Sequence, residues 1–422
     1  MTIEQPSDAV QTKTMNRRQF GMGATALSIG LVGAQATAQD EAASEPENEE
    51  RPKVKLALIG CGGRGTWIAK LFRDHGGYDV AACADYFPDR ADAFGEALDV
   101  PATQRYTGLA GYKRLLENAD VDAVAIESPP YFHPEQAAAA VEAGKHTYVA
   151  KPIAVDVPGC KSIEASGKKA TADGLCFLID FQTRADEFYT EAIKRVHEGA
   201  IGDFAFGEST YHAGIPWKGQ ITAAADDADP ENRLRAWGLD RVLSGDIITE
   251  QNIHTLDVAS WIMNQPPVCA FGTGGQKVRD FGTCWDTFSL VIQYADNVAI
   301  TFSSRQFQGH GTQPEGIRNR MFGTEGVLET SYGGNVLIRG ENFYRGGSTP
   351  GIYKLGAANN IATFYDSIQS GDCSNPTVSE SVRSNLVTIL GRTAAYENRV
   401  VTWDEILACD EPLVADLKGL KV

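Results

Sequence analysis

The chain has 422 residues, of which 43% are apolar and 22% charged, with 43 glycines and 18 prolines. This composition excludes collagen-like repeats, coiled coil and wholesale disorder, and the length predicts two or three domains. With 55 acidic and 38 basic residues the net charge is −17. Because proteins bind polyanions through lysine and arginine, no nucleic-acid partner is expected. The eight cysteines and seven histidines show no metal-ligand spacing, so no metal site is expected.

The first forty residues are typical of an export signal. The pair Arg17 and Arg18 precedes a Gly/Ala-rich apolar run and a small-residue cleavage site. With Phe20 the pair resembles a twin-arginine (Tat) signal, which exports folded proteins. An amphipathic N-terminal helix is the alternative. We predict a signal peptide over 1–38, an acidic linker over 39–52, and a periplasmic protein that stays tethered to the membrane if the signal is not cleaved.

A glycine-rich turn follows the first strand pattern. The apolar run from Val54 to Ile59 leads directly into the sequence GCGGRG, and a helix is predicted from Thr66 to Arg73. Strand, GxGxxG and helix in this order are typical of a dinucleotide site, with the pyrophosphate at the helix N-terminus. Asp85 ends the next strand, where an acid accepts hydrogen bonds from the adenosine ribose and repels a 2′-phosphate. The pattern therefore favours NAD, while two nearby arginines keep NADP open.

Strand and helix patterns alternate up to about residue 182. This alternation predicts an α/β protein whose N-terminal Rossmann domain, over 53–182, has a doubly wound parallel sheet. Ligands bind at the carboxyl ends of such strands, and four polar residues follow predicted strand ends: Asp85, Ser128, Lys151 and Gln182. Over 183–422, alternating apolar runs predict a C-terminal α/β domain with a large, mainly antiparallel open sheet. Two late helices, Ile361 to Ser370 and Ser379 to Tyr396, are expected to pack back.

A second candidate site lies on a helix predicted from Asp246 to Asn264. Glu250, His254, Asp257 and Trp261 follow at spacings of four, three and four, so they share one face. A glutamate four residues before a histidine can hydrogen-bond the imidazole, which fixes its tautomer and raises its basicity. A core histidine satisfied by a neighbouring acid is the alternative interpretation.

Together these motifs resemble the Gfo/Idh/MocA oxidoreductases, the family of glucose-fructose oxidoreductase and inositol dehydrogenase. The resemblance extends from about Lys53 to the segment around Trp403. It rests on four motifs: the glycine turn with Asp85, Ser128-Pro129-Pro130 with His133, Lys151-Pro152, and Glu250 with His254. It implies a sugar or cyclitol substrate, tightly bound NAD, export through the Tat machinery with the cofactor in place, and a homo-oligomer formed through the C-terminal sheet.

Two positions depart from the family pattern. The usual Glu-Lys-Pro is Ala150-Lys151-Pro152 here, so the lysine is kept and its acidic neighbour is lost. The usual Asp-x-x-x-His is Glu250-x-x-x-His254, with an acid one methylene longer. The loss at Ala150 leaves open what orients Lys151.

The resemblance implies catalytic roles for Lys151, His254 and Glu250 in oxidising a secondary alcohol. His254 takes the hydroxyl proton, the hydride goes to nicotinamide C4, and Lys151 either stabilises the alkoxide or is itself the base. Glu250 orients His254 or binds a substrate hydroxyl. The expected cofactor ligands are Gly60, Gly62, Gly63, Arg64, Gly65, Asp85, Ser128, Pro129, His133 and Lys151. The expected substrate ligands are Gln182, Arg184, Glu250 and Asp257.

Two other functions use the same residues. An NAD-dependent glycosidase would oxidise its substrate transiently, eliminate the aglycone and return the hydride. An exported sugar-binding protein would keep the fold without the chemistry, and only Ala150 supports that interpretation.

Overall fold

The computed structural model describes residues 52–225, 229–313 and 315–422. The predicted signal, 1–38, and all but the last residue of the predicted linker lie outside the described residues. The strands are β1 (Val54–Ile59), β2 (Tyr78–Asp85), β3 (Arg105–Thr107), β4 (Ala123–Ile126), β5 (His146–Ala150), β6 (Phe177–Asp180), β7 (Phe204–Ala213), β8 (Cys269–Gly275), β9 (Thr287–Gln293), β10 (Ala299–Gln306), β11 (Gly316–Gly323), β12 (Gly326–Ser331), β13 (Asn335–Gly340), β14 (Tyr344–Ser348) and β15 (Val401–Thr402). The helices are α1 (Gly63–His75), α2 (Pro88–Leu98), α3 (Gly111–Asn118), α4 (His133–Glu142), α5 (Val157–Ala172), α6 (Glu187–His197), α7 (Ile221–Ala224), α8 (Pro230–Arg235), α9 (Arg241–Ser244), α10 (Ile247–Glu250), α11 (Ile253–Met263), α12 (Ile352–Ser370), α13 (Thr377–Glu397) and α14 (Trp403–Ala408).

The first sheet is parallel, with strands in the order β3-β2-β1-β4-β5-β6. β4 and β6 are buried at every residue, as expected for strands covered by helices on both faces. The strand order reverses between β1 and β4, and at such a switch point the carboxyl ends of the strands form a ligand-binding crevice. The predicted doubly wound Rossmann sheet is confirmed.

The second sheet is mixed and mostly antiparallel, in the order β14-β13-β12-β11-β7-β10-β9-β8-β15. Only β7 and β10 pair in parallel among these strands of the described chain. Along β9 the residues Phe288, Leu290 and Ile292 are buried and alternate with more exposed ones, so one face packs on helices and the other is open. The predicted C-terminal sheet is confirmed. The sequence patterns miss β11 to β14, because polar residues such as Arg318 and Arg320 on the open face hide the strand signal.

Helix α12 lies against α1 beside the first sheet. Tyr78 donates a hydrogen bond to the carbonyl oxygen of Ile361 at 3.0 Å, and Tyr365 donates to that of Pro52 at 2.9 Å. The helix begins at Ile352, earlier than the sequence predicts. Gly356 also permits a close approach of α12 to the turn after β6, since a Cβ there would lie 2.5 Å from the backbone oxygen of Gln182.

The helix predicted from Asp246 to Asn264 is two helices, α10 and α11, so that prediction is wrong. Asp246 has a left-handed φ of 74°, and its Oδ1 accepts from the Ile247 amide at 2.6 Å. The Ile247 carbonyl then accepts from the amides of both Gln251 and Asn252, at 2.9 and 2.8 Å. This shared acceptor interrupts the regular helical hydrogen bonding after α10, so Glu250 and His254 do not lie on one helix.

Within residues 52–225, 229–313 and 315–422, no helix has the length and apolarity needed to cross a bilayer. The same residues include no group of three or more His, Cys, Asp or Glu side chains arranged to hold a metal ion. All eight cysteines lie in these ranges as free thiols.

Candidate functional site

The glycine turn between β1 and α1 leaves an open surface at the strand ends. Gly60 has a φ of +99°, and a Cβ there would lie 2.5 Å from the backbone nitrogen of Ser128, so only glycine fits. A Cβ at Gly65 would lie 1.8 Å from the carbonyl oxygen of Gly60, so α1 packs directly on the turn. By contrast, Cβ atoms at Gly62 and Gly63 would meet nothing closer than 4.0 Å. The start of α1 therefore fits a dinucleotide pyrophosphate.

Asp85 ties the end of β2 to this turn. Its Oδ2 accepts from the Cys61 amide at 2.8 Å and its Oδ1 from the Phe87 amide at 2.9 Å. Burial raises the pKa of this carboxyl, and the two amides and Arg90 partly offset the rise. Each oxygen keeps a second lone pair that can accept from a ribose hydroxyl. The walls of the cleft here include Gly60, Asp85, Phe87, Arg90, Ser128, Pro129 and Leu234.

The side chain of Arg64, an expected cofactor ligand, instead pairs with two carboxylates of the protein. Its Nε lies 2.9 Å from Oε2 of Glu127, a second nitrogen pairs with Asp180, and a third donates to the Tyr353 hydroxyl at 3.0 Å. Its guanidinium also lies 5.5 Å from the ring centroid of Trp67. A guanidinium held by two carboxylates is not free for a 2′-phosphate, which weakens the sequence argument for NADP.

His133, another expected cofactor ligand, is buried beneath the cleft. Its Nδ1 lies 2.8 Å from the carbonyl oxygen of Pro152, and its Nε2 lies 2.7 Å from that of Ser128. The side chain is 1% exposed, so it has no surface left for a ligand. The ring links the loops after β4 and β5, and the prediction of a cofactor contact is wrong.

Lys151 follows β5, and Glu250 holds its ammonium. Nζ donates to the carbonyl oxygen of Glu250 at 2.7 Å and to Oε1 at 3.2 Å. Both side chains are only 9% exposed. Burial raises the pKa of the Glu250 carboxyl, and the Lys151 charge opposes the rise. This contact orients Lys151 although Ala150 carries no acid.

His254 is a neutral imidazole close to this pair. Its Nδ1 has no hydrogen-bond partner among the described residues, and its ring centroid lies 5.4 Å from that of Tyr332. Burial lowers the pKa of His254 well below its usual value, and the charges of Lys151 and Arg64 lower it further. The predicted hydrogen bond between Glu250 and His254 is not formed among the described residues, and Glu250 contacts Lys151 instead.

Arg184 and Asp257, both expected to bind substrate, form a buried ion pair. Arg184 Nε donates to the two carboxylate oxygens at 3.0 and 3.1 Å, and Nη2 donates to Oδ1 at 2.9 Å. Arg184 also pairs with Glu380, and its guanidinium lies 5.0 Å from the Trp261 ring centroid. Asp257 is fully buried. The pair fastens α11 and α13 to the turn after β6, so the substrate role predicted for both residues is wrong.

Three members of this polar cluster, Glu127, Asp180 and Tyr332, are not predicted from the sequence. Glu127 follows β4 and Asp180 ends β6, and both side chains are fully buried. Gln182 donates to Asp180 at 3.1 Å and, within the described chain, leaves its Oε1 without a partner. The Tyr332 hydroxyl is likewise buried and unpartnered there. An acid directly after a buried strand was the available signal for Glu127 and Asp180, whereas nothing in the sequence points to Tyr332.

Both halves of the chain match models of one protein family. Residues 54–172 match an oxidoreductase family with an NAD-binding Rossmann fold, and residues 189–329 match the Gfo/Idh/MocA C-terminal domain. The chain belongs to the Gfo/Idh/MocA family. The resemblance drawn from the motifs is thereby confirmed, as is NAD as the cofactor that this family's N-terminal domain binds.

Relatives within the Gfo/Idh/MocA family carry two kinds of name. A glycosyl hydrolase family 109 protein of Shewanella putrefaciens is 29% identical over 220 residues, which are 48% of this chain and 47% of that protein. The chain thus spans about half the length of the first such relatives. Inositol 2-dehydrogenase of Rhizobium meliloti is 23% identical over 332 residues, 75% of this chain and 89% of the relative. The aldose-aldose oxidoreductase of Caulobacter crescentus shares the fold, with a TM-score of 0.65, 23% identity, and coverage of 83% of this chain and 99% of that one.

Residues 413–422, the tail segment, support one wall of the NAD cleft. The Lys421 carbonyl accepts from the Leu109 amide at 2.9 Å, and the Lys421 amide donates to the Tyr86 hydroxyl at 3.2 Å. Leu420 is buried in an apolar cluster with Phe87. Leu109, Tyr86 and Phe87 all line the cleft, so the tail segment holds the wall in place.

We expect removal of residues 413–422 to raise the dissociation constant of NAD about tenfold, chiefly through faster release, because the wall loses its support. Calorimetry and stopped-flow fluorescence would measure the affinity and the release rate. The matched control is Lys421→Ala, which keeps the backbone contacts and should bind NAD as the full chain does. Unchanged affinity in the shortened protein would contradict this role.

Proposed function

We propose that this protein is an NAD-dependent dehydrogenase acting on a secondary alcohol of a sugar, sugar derivative or cyclitol. The observation that carries the proposal is the Lys151–Glu250 contact, with Nζ 2.7 Å from the Glu250 carbonyl, close to the neutral imidazole of His254. The ammonium follows a strand of the sheet that carries the glycine turn, where α/β proteins bind ligands. A donor, a neutral base and a nicotinamide site together suit alcohol oxidation.

Unpartnered polar atoms support a polyol substrate. Among the described residues, His254 Nδ1, Glu250 Oε2, Gln182 Oε1 and the Tyr332 hydroxyl are buried without a hydrogen-bond partner. A buried polar group without a partner costs about 1–3 kcal/mol, so such a set in one region calls for a ligand or ordered water. A sugar or cyclitol presents several hydroxyls, each able to donate and accept, and would satisfy these atoms.

Each residue of this cluster has its own role in the oxidation. NAD, when bound, supplies a nicotinamide that accepts the hydride at C4. His254 accepts the hydroxyl proton at a ring nitrogen, since burial and the Lys151 charge keep it neutral. Lys151 donates a hydrogen bond to the same oxygen and stabilises the negative charge that develops there. Glu250 holds the ammonium in place, and the product is a ketone.

The second candidate is an NAD-dependent glycosidase, which the names of the Shewanella putrefaciens relative and others favour. The test is to incubate the purified protein and NAD with a panel of cyclitols, aldoses and aryl glycosides. A dehydrogenase accumulates NADH together with a ketone. A glycosidase releases the aglycone with NAD recycled. A protein that binds sugars and does neither is the non-catalytic alternative and would overturn both enzymatic proposals.

We also propose that the open face of the second sheet joins this chain to a second copy. Phe271, Val291 and Thr301 are paired across β8, β9 and β10, so they share one face. Phe271 is 47% exposed and Val291 43%, an unusual exposure for adjacent large apolar groups. Light scattering should give the mass of an oligomer, and Val291→Glu should lower it. A monomer mass for the unaltered protein would exclude this interface.

The signal expected over residues 1–38 supports a further proposal, that the protein works in the periplasm after export through the Tat pathway. Cell fractionation is the test. Changing both Arg17 and Arg18 to lysine should retain the protein in the cytoplasm, because the Tat pathway reads the arginine pair. Recovery of the altered protein in the periplasm would contradict Tat export.

A further inference from the structure

Glu127 is a buried carboxyl that the chemistry above does not use. It follows β4 directly, and because Ile126 pairs with Val149 in the sheet, Glu127 lies next to Ala150. Its backbone also abuts the glycine turn, since a Cβ at Gly60 would lie 2.6 Å from the Glu127 carbonyl carbon. A carboxyl thus lies just after the neighbouring strand, beside the position where the acid of the family motif is lost.

The contacts of Glu127 are incomplete. Its side chain is fully buried, and Arg64 Nε lies 2.9 Å from Oε2. Neither carboxylate oxygen accepts a well-aligned hydrogen bond from the described residues. Arg64 is shared with Asp180, so one guanidinium serves two buried carboxylates. A buried charge that is only partly compensated is costly, and protonation is the simplest way to remove it.

Ionisable side chains on or next to three elements, α1, β5 and β6, surround Glu127. Arg64 projects from α1, Lys151 follows β5 and Asp180 ends β6. Tyr148 on β5 is a buried phenol, and burial raises its pKa well above the usual value. Burial and the Asp180 charge raise the pKa of Glu127, Arg64 and Lys151 lower it, and the net result is a pKa of about 7. Glu127 is therefore divided between its charged and neutral forms near neutral pH.

With Glu250, the cluster holds three carboxyls and two cations. When all are ionised the cluster carries one excess negative charge, and when Glu127 is protonated it is neutral. A cation placed beside the cluster favours the ionised form of Glu127, and a neutral group in the same place does not. The nicotinamide ring switches between these two kinds of group, because it is cationic in NAD⁺ and neutral in NADH.

We propose that Glu127 is a redox-linked proton acceptor, which releases its proton when NAD⁺ binds and takes one up when hydride transfer makes the ring neutral. The proton balance of the reaction supports this role. Oxidation of one alcohol sends a hydride to NAD⁺ and frees one proton, which His254 accepts first. Burial and the Lys151 charge disfavour a proton on His254, whereas Glu127 can hold one in part of the molecules near pH 7. The inference rests on the proposed function only in placing the nicotinamide beside Lys151.

Proton-linked binding tests this proposal without any substrate. Calorimetry of NAD⁺ binding in two buffers with different ionisation enthalpies gives the number of protons released. If NAD⁺ lowers the pKa of Glu127 by one unit, roughly 0.4 proton is released at pH 7, and NAD⁺ affinity gains about fivefold over NADH affinity between pH 6 and pH 8. Glu127→Gln keeps the shape of the side chain and should abolish both effects.

Lys151→Met provides a second variant if Glu127→Gln fails to fold. Loss of the Lys151 cation should raise the pKa of Glu127 and move the proton-release profile to higher pH. Proton release that persists in Glu127→Gln, or none in the unaltered protein near pH 7, would overturn the proposal. Neither result depends on turnover, so failure of the dehydrogenase assay is a separate outcome.

Discussion

Replacement of Lys151 by methionine should leave NAD bound and slow alcohol oxidation by about 10²- to 10³-fold, the loss typical of one donor to a developing oxyanion. Methionine keeps the length and apolar stem of the side chain but cannot donate to the substrate oxygen. The Lys151 ammonium lowers the pKa of His254, so the same change should also raise that pKa. Single-turnover kinetics and NMR titration of the imidazole would measure the two effects.

Lys145→Met is the matched control, because Lys145 precedes the same strand at its opposite end. Its Nζ donates to the Val121 carbonyl at 2.8 Å, far along the sheet from the cluster. Turnover and the His254 titration should both stay near their original values in this variant. Near-normal turnover in Lys151→Met would contradict a catalytic role for Lys151.

Replacement of Arg184 by methionine should lower the free energy of unfolding by about 3–5 kcal/mol, because Asp257 would remain as an uncompensated buried charge. Asp257 is fully buried and Arg184 is 9% exposed. Urea unfolding would measure the loss. The fraction that remains folded should keep its KM, since the pair does not contact substrate.

Arg195→Met is the control for that experiment. Arg195 pairs with Glu191 at 2.7 Å on the surface of α6, where both side chains are well exposed. Such exposed pairs contribute less than about 1 kcal/mol, so the variant should unfold almost as the original does. Equal losses from both arginine replacements would contradict a structural role specific to Arg184, and a raised KM in Arg184→Met would restore it as a substrate ligand.

The parts of the site that local sequence determines could be predicted. The glycine turn requires Gly60 and Gly65 for steric reasons that any GxGxxG between strand and helix shares. Lys151 could be placed at the crevice because parallel strands end on the same side of the sheet. The same rule applied to every strand end would also have found Glu127 and Asp180.

The rest depends on contacts between distant segments. Helical spacing put Glu250 and Asp257 on one face, but the helix is interrupted after Glu250, which contacts Lys151, and Asp257 contacts Arg184. The true partner of each carboxylate lies about 70 or more residues away along the chain. Spacing along one helix carries no information about such partners.

Transfer of deuterium from a carbon-deuterated polyol to protein-bound NAD, followed by mass spectrometry of the nucleotide in a single turnover, tests the catalytic cluster most directly. The original protein should form NADH that carries the deuterium, and Lys151→Met and His254→Asn should transfer it far more slowly while NAD stays bound. Bound NAD⁺ that never acquires deuterium from any sugar or cyclitol offered would contradict a hydride-transfer site at Lys151 and His254.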